Sequence, residues 1–253
     1  MKRLLWVILA VVVIVVVVVL LQGRGGETGN ETGEIRVATD ATWKPFEYIE
    51  TNTTEIIGFD IDLFDAIAER ANLDVEYVNV PWDPLLAGMA TGAYDAAISS
   101  ISIRPDRLQN MNFSHPYFTA GQIITTLKSN TDITGNETLS GKSVGVQSGT
   151  TGDILAQSIN GTTVVAYDVI GDAFLSLMNR QIDAVICDNP VAYGYVAKYD
   201  TLKTVGEVMS SEQYGIAVPK GKEELLDKIN TALDALLAEG IIDQLTEKWL
   251  VPP

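Results

Sequence analysis

From residue 34 to residue 249 the chain repeats one pattern: a short apolar run, a polar turn, then a segment with its apolar residues at helical spacing. Apolar runs too short for helices read as strands buried on both faces, and their alternation with helical segments predicts an α/β fold. Strands are expected at 35–39, 75–80, 96–98, 142–146, 164–167, 184–187 and 214–218. A short strand is expected at 46–50 and a longer extended run at 117–127. Helices are expected at 60–71, 84–90, 153–159, 173–179, 189–198, 223–237 and 241–249, with Gly240 breaking the last two apart.

Asp40 and Trp43 follow the first strand; Ser100, Ser102 and Arg107 follow the run at 96–98; Ser148, Thr150 and Thr151 follow 142–146; and Asp188 follows 184–187. In open α/β sheets, ligands bind beyond the carboxyl ends of the strands. These ends offer a guanidinium, two carboxylates, several hydroxyls and a glycine turn whose backbone N–H groups suit an anion. Each residue also has an ordinary role. Arg107 could pair with a surface acid, Asp188 or Thr150 could cap a helix, and Trp43 and Trp82 could be core. Taken together, the set complements an α-amino acid, with Arg for the carboxylate and Asp for the ammonium. Ser99 and Arg104 are read as loop residues only.

The balance of 33 acids to 17 bases, a formal charge of −16, argues against nucleic acid, which needs clustered Lys and Arg. Cys187 is the one cysteine, so no intramolecular disulfide forms; it reads as a small buried hydrophobe. His115 has no second histidine with which to build a metal site, and no phosphate-loop, zinc-protease, dinucleotide or calcium-loop motif occurs. No cofactor is expected. Asp60, Asp62 and Asp65 read as the start and outer face of a helix.

Lys2 and Arg3 precede an unbroken apolar run over 4–21, at the lower edge of a membrane span. No small-x-small cleavage site follows, which favours a signal anchor at 1–22 over a cleaved signal peptide. Residues 23–33, polar and glycine-rich, read as a flexible linker. N-x-S/T triplets at Asn30, Asn52, Asn112, Asn136 and Asn160 make the chain a glycoprotein candidate. The expectation is a single-pass cell-membrane protein with an extracellular ectodomain.

The ectodomain resembles the extracellular solute-binding proteins for polar amino acids, which serve ATP-driven (ABC) importers. The resemblance is carried by Thr39-Asp-Ala-Thr-Trp-Lys-Pro-Phe-Glu-Tyr48, Gly58-Phe-Asp-Ile-Asp-Leu63, Tyr94-Asp-Ala-Ala-Ile-Ser-Ser-Ile-Ser-Ile-Arg-Pro-Asp-Arg107 and Phe113-Ser-His-Pro-Tyr-Phe118. Val144-Gly-Val-Gln-Ser-Gly-Thr-Thr151, Asp183-Ala-Val-Ile-Cys-Asp188, Tyr214-Gly-Ile-Ala-Val-Pro-Lys220 and Lys248-Trp249 continue it in order. It implies a two-lobe periplasmic binding protein-like fold of type II, its lobes joined by two hinge strands. Lobe one would span 34–120 with 216–253, and lobe two 121–215. The transmembrane start departs from the family's usual freely periplasmic or lipid-anchored form.

The same resemblance implies residue roles. Arg107, with Ser102 and the Thr151 amide, would bind the ligand carboxylate. Asp188, with the Ser100 carbonyl and the Ser102 hydroxyl, would take the ammonium. Asp40, Trp43, Trp82 and Gln147 would face the ligand side chain, and Asp40 suggests a basic or amide group there. The implied protein is a monomeric, non-catalytic receptor whose partners are a free amino acid and the permease subunits of an ABC importer. Two alternatives share the fold: a dehydratase acting on cyclohexadienyl acids, and a ligand-sensing receptor ectodomain.

Overall fold

A computed structural model describes residues 34–250. The expected transmembrane helix at 1–22 and linker at 23–33 lie outside the described residues, among which no helix is long and apolar enough to cross a membrane.

Two five-stranded sheets form the framework. The first contains β1 (Glu34–Thr39), β5 (Asp74–Asn79), β6 (Ala96–Ala97), β7 (Met111–Phe113) and β15 (Ala217–Pro219), in the order β5-β1-β6-β15-β7. Strand β1 runs parallel to β6, while β15 is antiparallel to both of its neighbours. The second sheet contains β9 (Gln122–Leu127), β10 (Ser143–Gln147), β11 (Thr163–Tyr167), β12 (Ala184–Asp188) and β13 (Leu202–Val205), in the order β11-β10-β12-β9-β13. Here β10 is parallel to β11 and β12, and β9 is antiparallel to β12 and β13.

The chain passes between the sheets on a two-stranded ribbon of β8 (Phe118–Ala120) and β14 (Glu212–Tyr214). The extended run expected at 117–127 is therefore two strands, split at Gly121. A Cβ there would sit 2.1 Å from the Ser210 carbonyl oxygen, so only glycine allows this close approach. The strand expected at 214–218 is likewise divided, its first residue pairing in the ribbon and its last two in the first sheet. Aromatic rings brace the ribbon: Phe46 meets Phe118 edge-on at 5.2 Å, and Phe118 stacks on Tyr214 at 5.8 Å.

The helices begin where apolar residues return at helical spacing. Helix α1 (Phe59–Ala71) buries Phe59, Leu63, Phe64 and Ile67 against the first sheet's core. Burial of each such side chain contributes about 1.5–3 kcal/mol. Helices α2 (Trp82–Thr91) and α3 (Pro105–Asn110) also belong to this half, α3 starting on a proline that fits the first helical turn. Helices α4 (Thr151–Ser158), α5 (Ile170–Met178) and α6 (Asn189–Lys198) pack on the second sheet; α7 (Glu223–Ala238) and α8 (Ile241–Trp249) close on α1.

Several local expectations change. The serine-rich stretch does not stay a loop to its end, because Arg107 lies in α3. The short strand expected at 46–50 forms as β3 (Glu47–Ile49), in a small sheet with β2 (Thr42–Trp43) and β4 (Ile56–Ile57); those two strands, of two residues each, and β13 do not stand out in the sequence.

Candidate functional site

Strand ends from both sheets converge on one cavity. Its lining includes ten of the residues singled out in the sequence: Asp40, Trp43, Trp82, Ser100, Ser102 and Arg107 from the first half, and Gln147, Thr150, Thr151 and Asp188 from the second; Ser148, named beside them, lies outside it. Glu47 and Ser99 complete it. The enclosed space is about 20 Å³, little more than one water needs. The two walls are thus nearly in contact.

Arg107 is buried, and its Nη1 donates to the Ser102 carbonyl at 2.9 Å. Its guanidinium lies 5.1 Å from the Trp82 ring centroid, within cation–π range. It takes part in no ion pair among the described residues. Burial lowers its pKa to about 10, the nearby Arg104 charge adding to the effect. Such a group gains from an anion brought to it.

Asp188 faces it from the end of β12. It stands at the N-cap position of α6, yet its side chain makes no capping bond. Instead its Oδ1 accepts from Gln122 Nε2 at 2.5 Å. Burial, then the charge of Glu212, pushes its pKa up to about 8. Thr150, by contrast, does take the ordinary role: its Oγ1 accepts from the Asp153 N–H at 3.3 Å, capping α4 while lining the cavity. Thr151 opens that helix, so its N-terminus points at the site.

The remaining wall is acidic. Asp40 accepts from Thr42 Oγ1 at 3.0 Å and from Gln147 Nε2 at 2.9 Å, and burial raises its pKa against those two bonds. Glu47, fully buried on β3, accepts from Ser99 Oγ at 3.0 Å. Burial and the neighbouring Asp60 hold its pKa well above the ordinary range. Asp60 takes the Ser100 N–H at 2.7 Å and the Tyr117 hydroxyl at 2.9 Å. It thereby fixes Ser100 at φ 49°, a left-handed conformation that costs a non-glycine residue about 1 kcal/mol or more. The buried ring N–H groups of Trp43 and Trp82 have no protein partner.

Two readings are corrected here. Ser99 is not a bystander: its hydroxyl accepts the Asp40 N–H at 2.9 Å and donates to Glu47. Asp60 does not face outward, because its spacing with Phe64 and Ile67 puts it on the apolar stripe of α1, where it is fully buried. That spacing was the available signal. Glu47, Gln122 and Glu212 carried none, since their roles arise from pairings between distant segments.

A deep cavity between two α/β halves, with a buried unpaired cation facing a buried carboxyl, defines a two-lobe binding protein of the periplasmic type. The family model of the bacterial extracellular solute-binding proteins, family 3, matches residues 35–252, and the chain belongs to that family. It is 32% identical over 222 residues to the ABC transporter arginine-binding protein 1 of Escherichia coli (strain K12), covering 85% of this chain and 90% of the relative. A structure of an ancestral arginine-binding protein bound to arginine superposes with a TM-score of 0.82 at 40% identity, covering 87% of this chain and 99% of that one. The arginine-, lysine-, histidine-binding protein ArtJ of Geobacillus stearothermophilus gives 0.81 at 36% identity, covering 87% and 96%.

Proposed function

We propose that this protein captures a polar amino acid with a basic or amide side chain between its two halves and delivers it to the permease subunits of an ABC importer. The observation that carries this reading is the placement of Arg107 and Asp188 on opposite walls of one cavity. A zwitterion satisfies both, its carboxylate on Arg107, Ser102 and the Thr151 amide, its ammonium on Asp188 with Ser100 and Ser102. With Asp40 and Glu47 added, the lining holds three carboxyls to one guanidinium. That surplus favours a side chain that donates hydrogen bonds or carries positive charge, between Trp43, Trp82 and Gln147. Relatives that bind arginine, lysine and histidine support the same reading.

With walls so close, ligand entry needs the halves to separate about the β8–β14 ribbon, and closure then completes the site. The moving bodies are 34–120 with 216–253, and 121–215. The reading includes a monomer tethered by 1–22 and 23–33 at the outer face of a cell membrane. Glycans at the exposed Asn52, Asn136 and Asn160 are compatible with it; Asn112 is a poorer acceptor because its side chain holds Lys220 and Glu223. A thermal-shift screen of the full-length protein against the twenty amino acids tests the function, because ligand binding raises stability by mass action. A shift with arginine, lysine, histidine or glutamine is expected, confirmed by calorimetry. No shift with any amino acid would overturn the reading.

A further inference from the structure

Glu212 lies on β14, in the connecting ribbon, and does not line the cavity. Its Oε2 accepts from Ser102 Oγ at 2.8 Å, on the first wall. Its Oε1 accepts from Ser210 Oγ at 2.7 Å and from Gln122 Nε2 at 3.1 Å. Gln122 is itself buried and opens β9 of the second sheet. The same Nε2 reaches Asp188 Oδ1 at 2.5 Å and Thr151 Oγ1 at 3.1 Å. An amide nitrogen has two hydrogens, so with three acceptors in range the two carboxyls take them and the Thr151 hydroxyl stays free. One carboxylate on the ribbon is thus bonded to both walls, directly to Ser102 and through Gln122 to Asp188.

We propose that Glu212 is a positioning residue for the ammonium subsite, setting where Ser102 and Asp188 sit and which charge Asp188 carries when ligand arrives. This rests on the assignment of Asp188 to the ligand ammonium. Two carboxyls sharing one amide repel, so the charge on Glu212 makes Asp188 hold its proton more readily. The other charged or titratable groups facing Asp188 are Arg107 from α3, which favours its ionised form, Tyr214 from β14, and Cys187 beside it on β12. In the absence of ligand, then, Asp188 keeps its proton at neutral pH. An arriving ammonium replaces that proton as the positive partner, and the proton leaves to solvent. Binding is therefore coupled to proton release, with Glu212 adding to the coupling that burial sets up.

Two measurements on the full-length protein test this. Carbon-13 titration of side-chain carboxyls, with the Asp188 signal assigned by its loss in Asp188→Asn, is expected to show Asp188 titrating near 8. Glu212→Gln, which keeps the shape and removes the charge, should move that titration down by about one pH unit. Glu212→Asp keeps the charge and should leave the titration nearer the parent value than Gln does. Calorimetry of the best-binding amino acid, in buffers of differing ionisation enthalpy, should show proton release in the parent and less in Glu212→Gln, with affinity about tenfold weaker. A purely structural role for Glu212 would weaken binding without moving the Asp188 titration. An unmoved titration in Glu212→Gln, or Gln and Asp variants that shift it equally, would overturn the proposal. Should no amino acid bind the parent, the functional reading fails, while the ligand-free titration still decides the role of Glu212.

Discussion

Gln147 donates from Nε2 to Asp40 Oδ2 at 2.9 Å, joining the end of β10 in the second sheet to the end of β1 in the first. The bond spans the two walls of the cavity, so it belongs to the closed arrangement alone. A hydrogen bond to a charged group contributes about 1.5–3 kcal/mol. Gln147→Ala should therefore shift ligand-free protein toward the open form by about tenfold or more. Small-angle scattering of ligand-free protein is expected to report a larger radius of gyration for the variant. Equal radii would show that this bond does not hold the halves together.

Arg107 combines a bond to the Ser102 carbonyl with a stack on Trp82. A lysine supplies the charge but neither the planar fork nor the flat face. Arg107→Ala and Asp188→Ala should each weaken amino-acid binding by about 2 kcal/mol or more, mainly through the ligand charge left unpaired. Arg107→Lys should recover less than half of the loss at Arg107. Calorimetry with all three variants checks this, and parent-like affinity for both alanine variants would remove the site assignment.

The alternation of strands and helices was legible because buried strands and amphipathic helices impose different apolar periods. So were eight of the ten cavity residues, because strand ends in such folds gather at one edge; Trp82 and Gln147 came from the family resemblance. The connecting ribbon was less legible. Nothing in the run from Tyr117 to Leu127 marks Gly121 as the point where pairing changes sheets; the Ser210 carbonyl that requires it lies far along the chain. Glu47 and Glu212 were hidden for the same reason, since a lone carboxylate in a sequence looks like solvated surface until its partners are placed. Asp60 was the exception, being readable from its position on the apolar stripe of α1.

The buried acids set how stability varies with pH. Asp60 is raised from its ordinary 3.8 to about 6, and Asp188 from 3.8 to about 8, both chiefly by burial. The native state then holds more protons than the unfolded chain between those values. Their contribution is fully present below the unfolded pKa and is lost as pH rises through the folded one. Asp106 and Asp183 are lowered by hydrogen bonds that outweigh burial, and they act oppositely, losing their contribution in stronger acid. The melting temperature of ligand-free protein should thus fall between about pH 5 and pH 8. Asp188→Asn should flatten the upper part of that decline. A melting temperature that rises through this window would contradict the placement of these carboxyls.

Gly152, in the first turn of α4, leaves no room for a side chain. A Cβ there would lie 2.8 Å from Gln122 Oε1 and 3.0 Å from the Ile186 carbonyl oxygen. The backbone oxygen cannot swing aside, so the helix start and Gln122 must yield instead. Overpacking of this kind costs about 1–3 kcal/mol. Gly152→Ala should lower the melting temperature and also weaken amino-acid binding, because Gln122 holds Asp188. Gly92→Ala supplies the control for a lost glycine, since its Cβ would meet nothing within 4 Å, although its φ of +74° adds backbone strain. That variant should lose stability and keep its affinity. If Gly152→Ala behaved likewise, Gln122 would not be transmitting the shape of the α4 turn to the ligand site.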